Sequence, residues 1–495
     1  MMLALKFPDD LELLMKLNLL ISAIFCGLVA VPVSVQAAVS PYLPLKQNSA
    51  FELEVERLVT ITGYPALKKP YHIASLVSYL DKVKQSHPKL YQRINRYIER
   101  YKTTAGVTHF QSQLRLSDSN EKTLHNTRGV TSNSAFDLQA SAFWQPSEYF
   151  IANIGGGYSE DGGFTPHGSF LSFGGSLMQV DLGYREHWLS PLQGSSQLVS
   201  THAKPMLGVT LSNVQPLSDW NIMYELAFGR LDTVDDIYFN DMPSTGKPGY
   251  LAMHASIQLT DWWTVSGSRT MQFGGGARGK VGLSEVWQAI IDPVSSDNCG
   301  SLSDLQDCQQ EFGNQQAALA SRMDLNVLDT PFSLLIEVAG EDTNDYKAYK
   351  LGNKAYSLGL FIPYLSPDES LGVTAQYIED AWYSHHIYRQ GLRNDGHVIG
   401  HWWGDEKRVN DGIGAKIISV DYSKEFEDNS QLRLEYHTIE NTYSESTAVV
   451  NYKRGHYFKA DYQWVYRGQF LGLHWYGGKD VNGESFNSIS FSKQW

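Results

Sequence analysis

Apolar positions follow two different periods along this chain. Between Asn48 and Tyr101 they recur every three to four residues, which predicts helices. The first carries Phe51, Val55 and Leu58 behind an Asn48-Ser49 cap and is stopped by Gly63 and Pro65. The second carries Ile73, Leu76, Val77 and Leu80; the third has Pro88 in its first turn and Leu90, Ile94, Ile98 and Tyr101 on one face. Each apolar face is too short and narrow to cross a bilayer. The expectation is a small three-helix unit packed on itself and against the rest of the chain.

After Gly106 the period falls to two. Trp220, Ile222, Tyr224, Leu226 and Phe228 share one side, with Asn221 and Glu225 on the other. Leu432, Leu434 and Tyr436 oppose Arg433, Glu435 and His437, and Phe458, Ala460, Tyr462 and Trp464 oppose Lys459, Asp461 and Gln463. Such alternation fits a soluble sandwich as well as a membrane barrel, and loop length separates the two. Short connections fall near Gln145-Ser147, Gly174-Leu177, Val214-Ser218, Thr260-Asp261, Asp329-Pro331, Ser366-Ser370, Glu425-Ser430 and Tyr466-Gly468. Longer ones intervene near Asp118-Ser132, Glu160-Gly168, Trp188-Ala203, Leu231-Pro248, Gly274-Gln316, Glu341-Asn353, Asp380-Gly412, Asn441-Gly455 and Gly477-Glu484. Tight turns alternating strictly with long loops, over about eighteen strands, predict a transmembrane antiparallel β-barrel with tight periplasmic turns and long extracellular loops. The barrel must close, because an open edge would leave amides unpaired in lipid. Arg269 falls on the apolar face of Trp263, Val265 and Met271, which implies a bulge or a shifted register there.

Composition narrows the class. The 495 residues are 42% hydrophobic and 19% charged, with 42 Gly, 28 Tyr and 12 Trp, and mean hydropathy is -0.30. A helical membrane protein would be more apolar, whereas aromatic-rich alternating strands suit rings placed at water–lipid boundaries. A net charge of -13 without a basic stripe argues against nucleic acid as a partner.

The chain start predicts export. From Met15 one Lys precedes an apolar core near Leu17 to Val33 and a small-residue site at Val35-Gln36-Ala37, so residues 1–37 read as a cleaved signal peptide. Asp9, Asp10 and Glu12 are poor company for a signal n-region, which leaves Met15 as a second candidate for the start. Cys26 lies in the apolar core behind Phe25, without the small residue of a lipoprotein site. Cys299 and Cys308, in a Gly/Ser/Asp-rich loop of an exported chain, are expected to form a disulfide. The resulting organisation is a periplasmic helical bundle over residues 38–105 and an outer-membrane barrel of a Gram-negative bacterium over residues 106–495. An even strand count returns both barrel ends to the periplasmic side. The final strand, with Phe486, Ile489, Phe491 and Trp495, is similar to the signal that hands such barrels to the insertion machinery, with Lys493 departing from it.

Several strand-to-loop junctions carry a family resemblance. Gly183-Tyr184-Arg185-Glu186-His187-Trp188, His202-Ala203-Lys204-Pro205, Phe273-Gly274-Gly275-Gly276, Phe312-Gly313-Asn314-Gln315 and Val398-Ile399-Gly400-His401-Trp402-Trp403-Gly404 occur in an order that resembles the Wzi-type capsule assembly proteins. The departure is at Trp188-Leu189-Ser190-Pro191, where members show a Trp-Gly-Pro-like sequence. The resemblance implies a lectin-like barrel that attaches or organises capsular polysaccharide at the surface, without catalysis or cofactor. The expected partners are surface polysaccharide, outer-membrane lipid and the insertion machinery, and the chain is expected to be a monomer.

Sugar contact is expected of Arg185, His187 and Trp188 at one outer strand end, and of His401, Trp402, Trp403, Asp405, Lys407 and Arg408 in the Asp380-Gly412 loop. Indole faces stack on the C–H side of a sugar, and Arg or Lys pairs with uronate carboxylates. The competing role for Gly400-His401 and the two Trp is to lock the loop onto the rim. A diffusion porin or saccharide channel would share every barrel feature, with Glu225, Arg433, Glu435, Lys459 and Asp461 lining its passage. A barrel enzyme would need a nucleophile, base and orienter, and no Gly-x-Ser-x-Gly string is present. His385-His386 would point to opposite faces of a strand, so they read as loop or surface histidines and no metal is expected.

Overall fold

The computed structural model describes residues 38–45, 49–118, 121–291, 312–341, 343–344, 347–380, 382–442 and 451–495. The expected signal peptide and the expected Cys299–Cys308 disulfide lie outside the described residues. Three helices come first: α1 (Ser49–Thr62), α2 (Ile73–Leu80) and α3 (Pro88–Ile98). Val55, Leu58, Leu76, Leu80, Leu90, Ile94 and Ile98 meet in one buried core, as their spacing predicts. Val77 is partly buried at its edge, and Phe51 stacks on Tyr97.

Eighteen barrel strands follow among the described residues. In order they are β1 (Ala105–Ser117), β2 (Phe136–Ser147), β3 (Phe150–Ser159), β4 (Ser169–Gly174), β5 (Gln179–Tyr184), β6 (Gly208–Ser212), β7 (Met223–Arg230), β8 (Gly249–Thr260) and β9 (Trp263–Phe273). The second half comprises β10 (Gly313–Val327), β11 (Thr330–Glu341), β12 (Lys354–Ser366), β13 (Glu369–Ile378), β14 (Gly414–Glu425), β15 (Gln431–Thr442), β16 (Gly455–Tyr466), β17 (Gln469–Lys479) and β18 (Ser485–Gln494). A three-residue strand, Gly163–Thr165, adds to β3 at the outer rim. Each barrel strand pairs antiparallel with the next, and β1 pairs with β18 from Gln111↔Gln494 to Ser117↔Ser488. No unpaired seam is left in the wall among the described residues, as lipid demands.

Period two sorts the side chains. Leu114, Ile154, Leu182, Phe228, Leu319, Leu358, Ile418, Leu434, Phe458, Leu473 and Phe491 are exposed on the outside, while Ser488, Ser490, Ser492 and Gln494 of β18 are buried inside. An apolar exterior around a polar interior is the arrangement of a membrane-crossing barrel. Trp144, Tyr149, Trp220, Trp262, Tyr466 and Trp495 form an exposed aromatic girdle at the short-turn end. Phe486, an odd number of residues before Ile489 and so on the opposite face, points inward and packs on Tyr457 and Tyr476.

The register at Arg269 corrects the expectation of a bulge or a slip. β9 pairs with β10 without a shift from Trp263↔Met323 to Phe273↔Gly313, so Arg269 does face outward. It is covered by a fourth helix, α4 (Leu283–Ile291), which lies outside the barrel. An arginine facing lipid at mid-depth costs about 2–4 kcal/mol. Here its guanidinium donates to the carbonyls of Ala289 (3.0 Å) and Ile290 (3.2 Å) and to the Gln315 amide.

The helical unit docks at the short-turn end. Val39 N–H donates to the Glu148 carbonyl at 2.7 Å, Arg57 Nε to the Pro363 carbonyl at 3.1 Å, and Arg93 pairs with Glu425. Arg322 of β10 binds Glu56 Oε1 at 2.5 Å and Thr60 Oγ1 at 2.9 Å, so α1 buries a charged face as well as an apolar one. The segment after α1 continues up the lumen. Lys69 and Trp188 exchange backbone hydrogen bonds of 2.8 and 3.0 Å, joining the N-terminal chain to the first residues of a long outer loop.

Candidate functional site

Two outer-loop clusters contain the residues singled out from sequence. The first hangs below the outer end of β5. Arg185 Nη2 binds Glu225 Oε2 at 2.8 Å and its guanidinium lies 4.2 Å from the Tyr42 ring centre. His187 Nδ1 meets Glu225 Oε1 at 2.7 Å, and Lys68 Nζ meets Glu225 Oε2 at 3.0 Å. One carboxylate thus ties an outer strand end to the N-terminal segment. Trp188 is buried, with Nε1 donating to the Leu192 carbonyl at 3.0 Å.

The second cluster is a cap made by the Asp380-Gly412 loop and the loop after β1. Asp405 is its hub: Oδ2 meets His202 Nε2 at 2.8 Å and His397 Nδ1 at 2.9 Å, while Oδ1 takes the Arg393 guanidinium. Burial alone would raise this carboxyl, but Arg393 and the two imidazoles hold it well below the usual carboxylate range. His202, His397 and Asp405 could each offer a ligand to a divalent ion. Arg393 already balances the carboxylate, so the cluster carries its own cation.

The aromatic string around this hub is packed, not presented. Trp402 stacks on His125 with ring centres 3.8 Å apart, and its edges meet His437 and Tyr457. Trp403 is fully buried and donates from Nε1 to Asn441 at 2.8 Å. His401 Nδ1 accepts from Trp403 N–H at 3.0 Å, and its Nε2 pairs with Gln376 at 3.0 Å. That bonding fixes the neutral ring, and burial lowers its pKa to about 3. Burial likewise depresses Lys407 to about 8; its ammonium donates to the carbonyls of Trp382 and Asp411 at 2.6 and 2.7 Å. Gly400 is required by close approach: a Cβ there would lie 2.3 Å from both the Gln197 carbonyl and the Tyr383 hydroxyl.

The expectation that these groups stand open at the mouth is therefore corrected. Arg185, Trp188, His401, Trp402, Trp403 and Lys407 are buried, His187 and Asp405 are partly buried and internally bonded, and Arg408 is exposed. Buried indoles gain more from packing than from a rim position, and the indole N–H groups of Trp188 and Trp403 find partners inside. His385 is also buried, beside an exposed His386. Sequence pattern alone does not single out His125, Tyr383, Arg393 or His397: His125 and Tyr383 meet partners from distant segments, and Arg393 and His397 are brought to Asp405 by the fold of their own loop. Only His202 belongs to one of the motifs that carry the family resemblance.

Comparison with known proteins fits this architecture. The family model "Capsule assembly protein Wzi" matches residues 98–480. The chain belongs to this family. Among solved structures, Wzi from Escherichia coli aligns over 93% of this chain and 99% of its own, with TM-score 0.67 and 14% identity. That protein is described as an outer membrane protein involved in group 1 capsule assembly and as a carbohydrate-binding β-barrel. Acinetobacter baumannii OccAB4 gives a looser likeness, covering 79% of this chain and 98% of its own at TM-score 0.46 and 11% identity. No curated protein sequence matches the chain. Family membership and the exterior apolar belt place this Wzi-family barrel in the outer membrane, with its long loops outside.

Proposed function

We propose that this Wzi-family protein holds or organises capsular polysaccharide at the cell surface as a closed platform, without catalysis and without conducting solutes. The observation that carries the reading is the packed interior under a folded cap. Inward residues Ser172, Gln179, Asp181, Glu225, Thr270, Gln272, Gln316 and Glu337 are each 1% exposed or less. In an open passage such side chains would be wet. Arg433, Glu435 and Lys459 do keep some hydration on the β15–β16 wall, but they pair with one another and with the buried Asp461 there. Above that wall Lys122 binds Glu406, and Tyr457 donates to the same carboxylate. Family membership and the carbohydrate binding described for the Escherichia coli protein support the same reading.

With the Trp pair inside, the proposed contact surface is the outside of the cap. Arg408, Lys453 and Arg389 are exposed there on an otherwise acidic protein, Arg389 stacked 3.7 Å over Tyr238. Cations beside rings suit uronate or other acidic sugars. The test compares cell-bound with released polysaccharide in a deletion strain complemented by the wild type or by Arg408→Ala/Lys453→Ala. The expected result is release on deletion and partial release with the double variant, whose unheated gel migration stays normal. Unchanged retention with slower entry of a sugar would favour a channel instead.

A further inference from the structure

Helix α4 serves neither the cap nor the lumen. It descends from the outer end of β9 along the outside of the wall. Val286 and Ala289 are buried with Leu251, Met271, Phe273 and Phe312, and Ile290 and Met253 pack at the edge of this cluster. The other apolar side chains point away from the barrel: Leu283 is 82%, Trp287 53% and Ile291 62% exposed. Spaced by four, they form one stripe.

At about 100° per residue, the buried and exposed apolar groups merge into one arc of roughly 200°, and Ser284, Glu285 and Gln288 occupy the rest. The arc is far wider than contact with the barrel needs. An amphipathic helix of this kind belongs at a water–lipid boundary. The barrel's lipid belt continues on both sides of it, through exposed Phe228 on β7 and exposed Leu319 on β10. Nine residues would not hold a helix in water unaided. Here both ends are fastened, by Glu285 Oε2 accepting from Gly282 N–H at 2.5 Å and by Arg269 donating to the last carbonyls.

We propose that α4 is an interfacial anchor: Leu283, Trp287 and Ile291 sit among the acyl chains of the outer leaflet, and Arg269 is the latch that holds the helix against the barrel. The bilayer then takes part in fixing residues 283–291 beside β9.

The test uses the full-length protein with Cys299→Ser and Cys308→Ser, reconstituted in phosphatidylethanolamine/phosphatidylglycerol vesicles. A nitroxide is placed at Trp287→Cys, at Leu319→Cys as a belt reference, or at Asn240→Cys as an exposed-loop reference. Collision with oxygen and with a water-soluble nickel chelate is read for each. The label at Trp287→Cys is expected to match the belt reference, with an oxygen-to-nickel ratio several-fold above that of the loop reference. A ratio equal to the loop reference would overturn the proposal, and so would low collision with both agents, which would mean a protein cover such as a second copy. Adding Arg269→Leu, in a barrel that still migrates as folded without heating, should move the label toward the loop value. An unchanged ratio would overturn the latch.

Discussion

At the scale of single residues, burial separates locking from contact. Trp402→Ala removes an indole stacked on His125 and is expected to cost about 3–5 kcal/mol of cap stability. Arg408→Ala, at an exposed site, should change stability by less than about 0.5 kcal/mol. Denaturant titration followed by cap proteolysis measures both; equal costs would contradict the packing described. Arg393→Ala leaves the largely enclosed Asp405 carboxylate, 10% exposed, without its guanidinium, which for such pairs costs about 3–5 kcal/mol. Trypsin cutting after exposed Arg389 and Arg408 should accelerate in this variant while the barrel band on an unheated gel persists.

At the scale of elements, the cap responds to acid with a definite sign. Buried His401 and partly buried His125 both have pKa values well below the ordinary 6.5, His401 at about 3. Burial is the main cause for each. His202 and His437 add repulsion at both rings, Lys122 adds more at His125, and Glu435 partly offsets it there. In the unfolded cap these rings would take up protons below about 6.5. The stability they contribute is therefore full above that pH and is lost as pH falls toward 3. After correction for the intrinsic pH dependence of amide exchange, opening of residues 382–412 should grow across this window while the barrel strands stay protected; opening independent of pH would count against the neutral pair. The barrel and helices were legible because their signals are local, with period two, period 3.6 and the turn chemistry at Thr260-Asp261 and Tyr466-Gly468. The cap was not. His401 and Trp403 announce aromatic chemistry, but their burial depends on Gln376 and Asn441, which come from separate strands. The charged face of α1 was hidden for the same reason: Glu56 and Arg57 look solvated until Arg322 and Pro363 are brought beside them. Arg269 looked like an irregularity in a strand because its partners belong to a helix that strand period alone cannot foresee.

At the scale of the whole molecule, the closed interior predicts electrical silence. Purified barrel added to a planar bilayer should give no stepwise conductance of the size expected for an open eighteen-strand pore; regular large steps would overturn the packed lumen. The backbone bridge between Lys69 and Trp188 has a mechanical consequence as well. The outer loop that begins at Trp188 is tied through the lumen to a helical unit seated beneath the inner rim, where Arg57 and Arg93 grip Pro363 and Glu425. A tug on that loop from outside draws the unit against the rim, as a knot draws against a hole, and the load spreads over the ring of strands instead of peeling one loop from its neighbours.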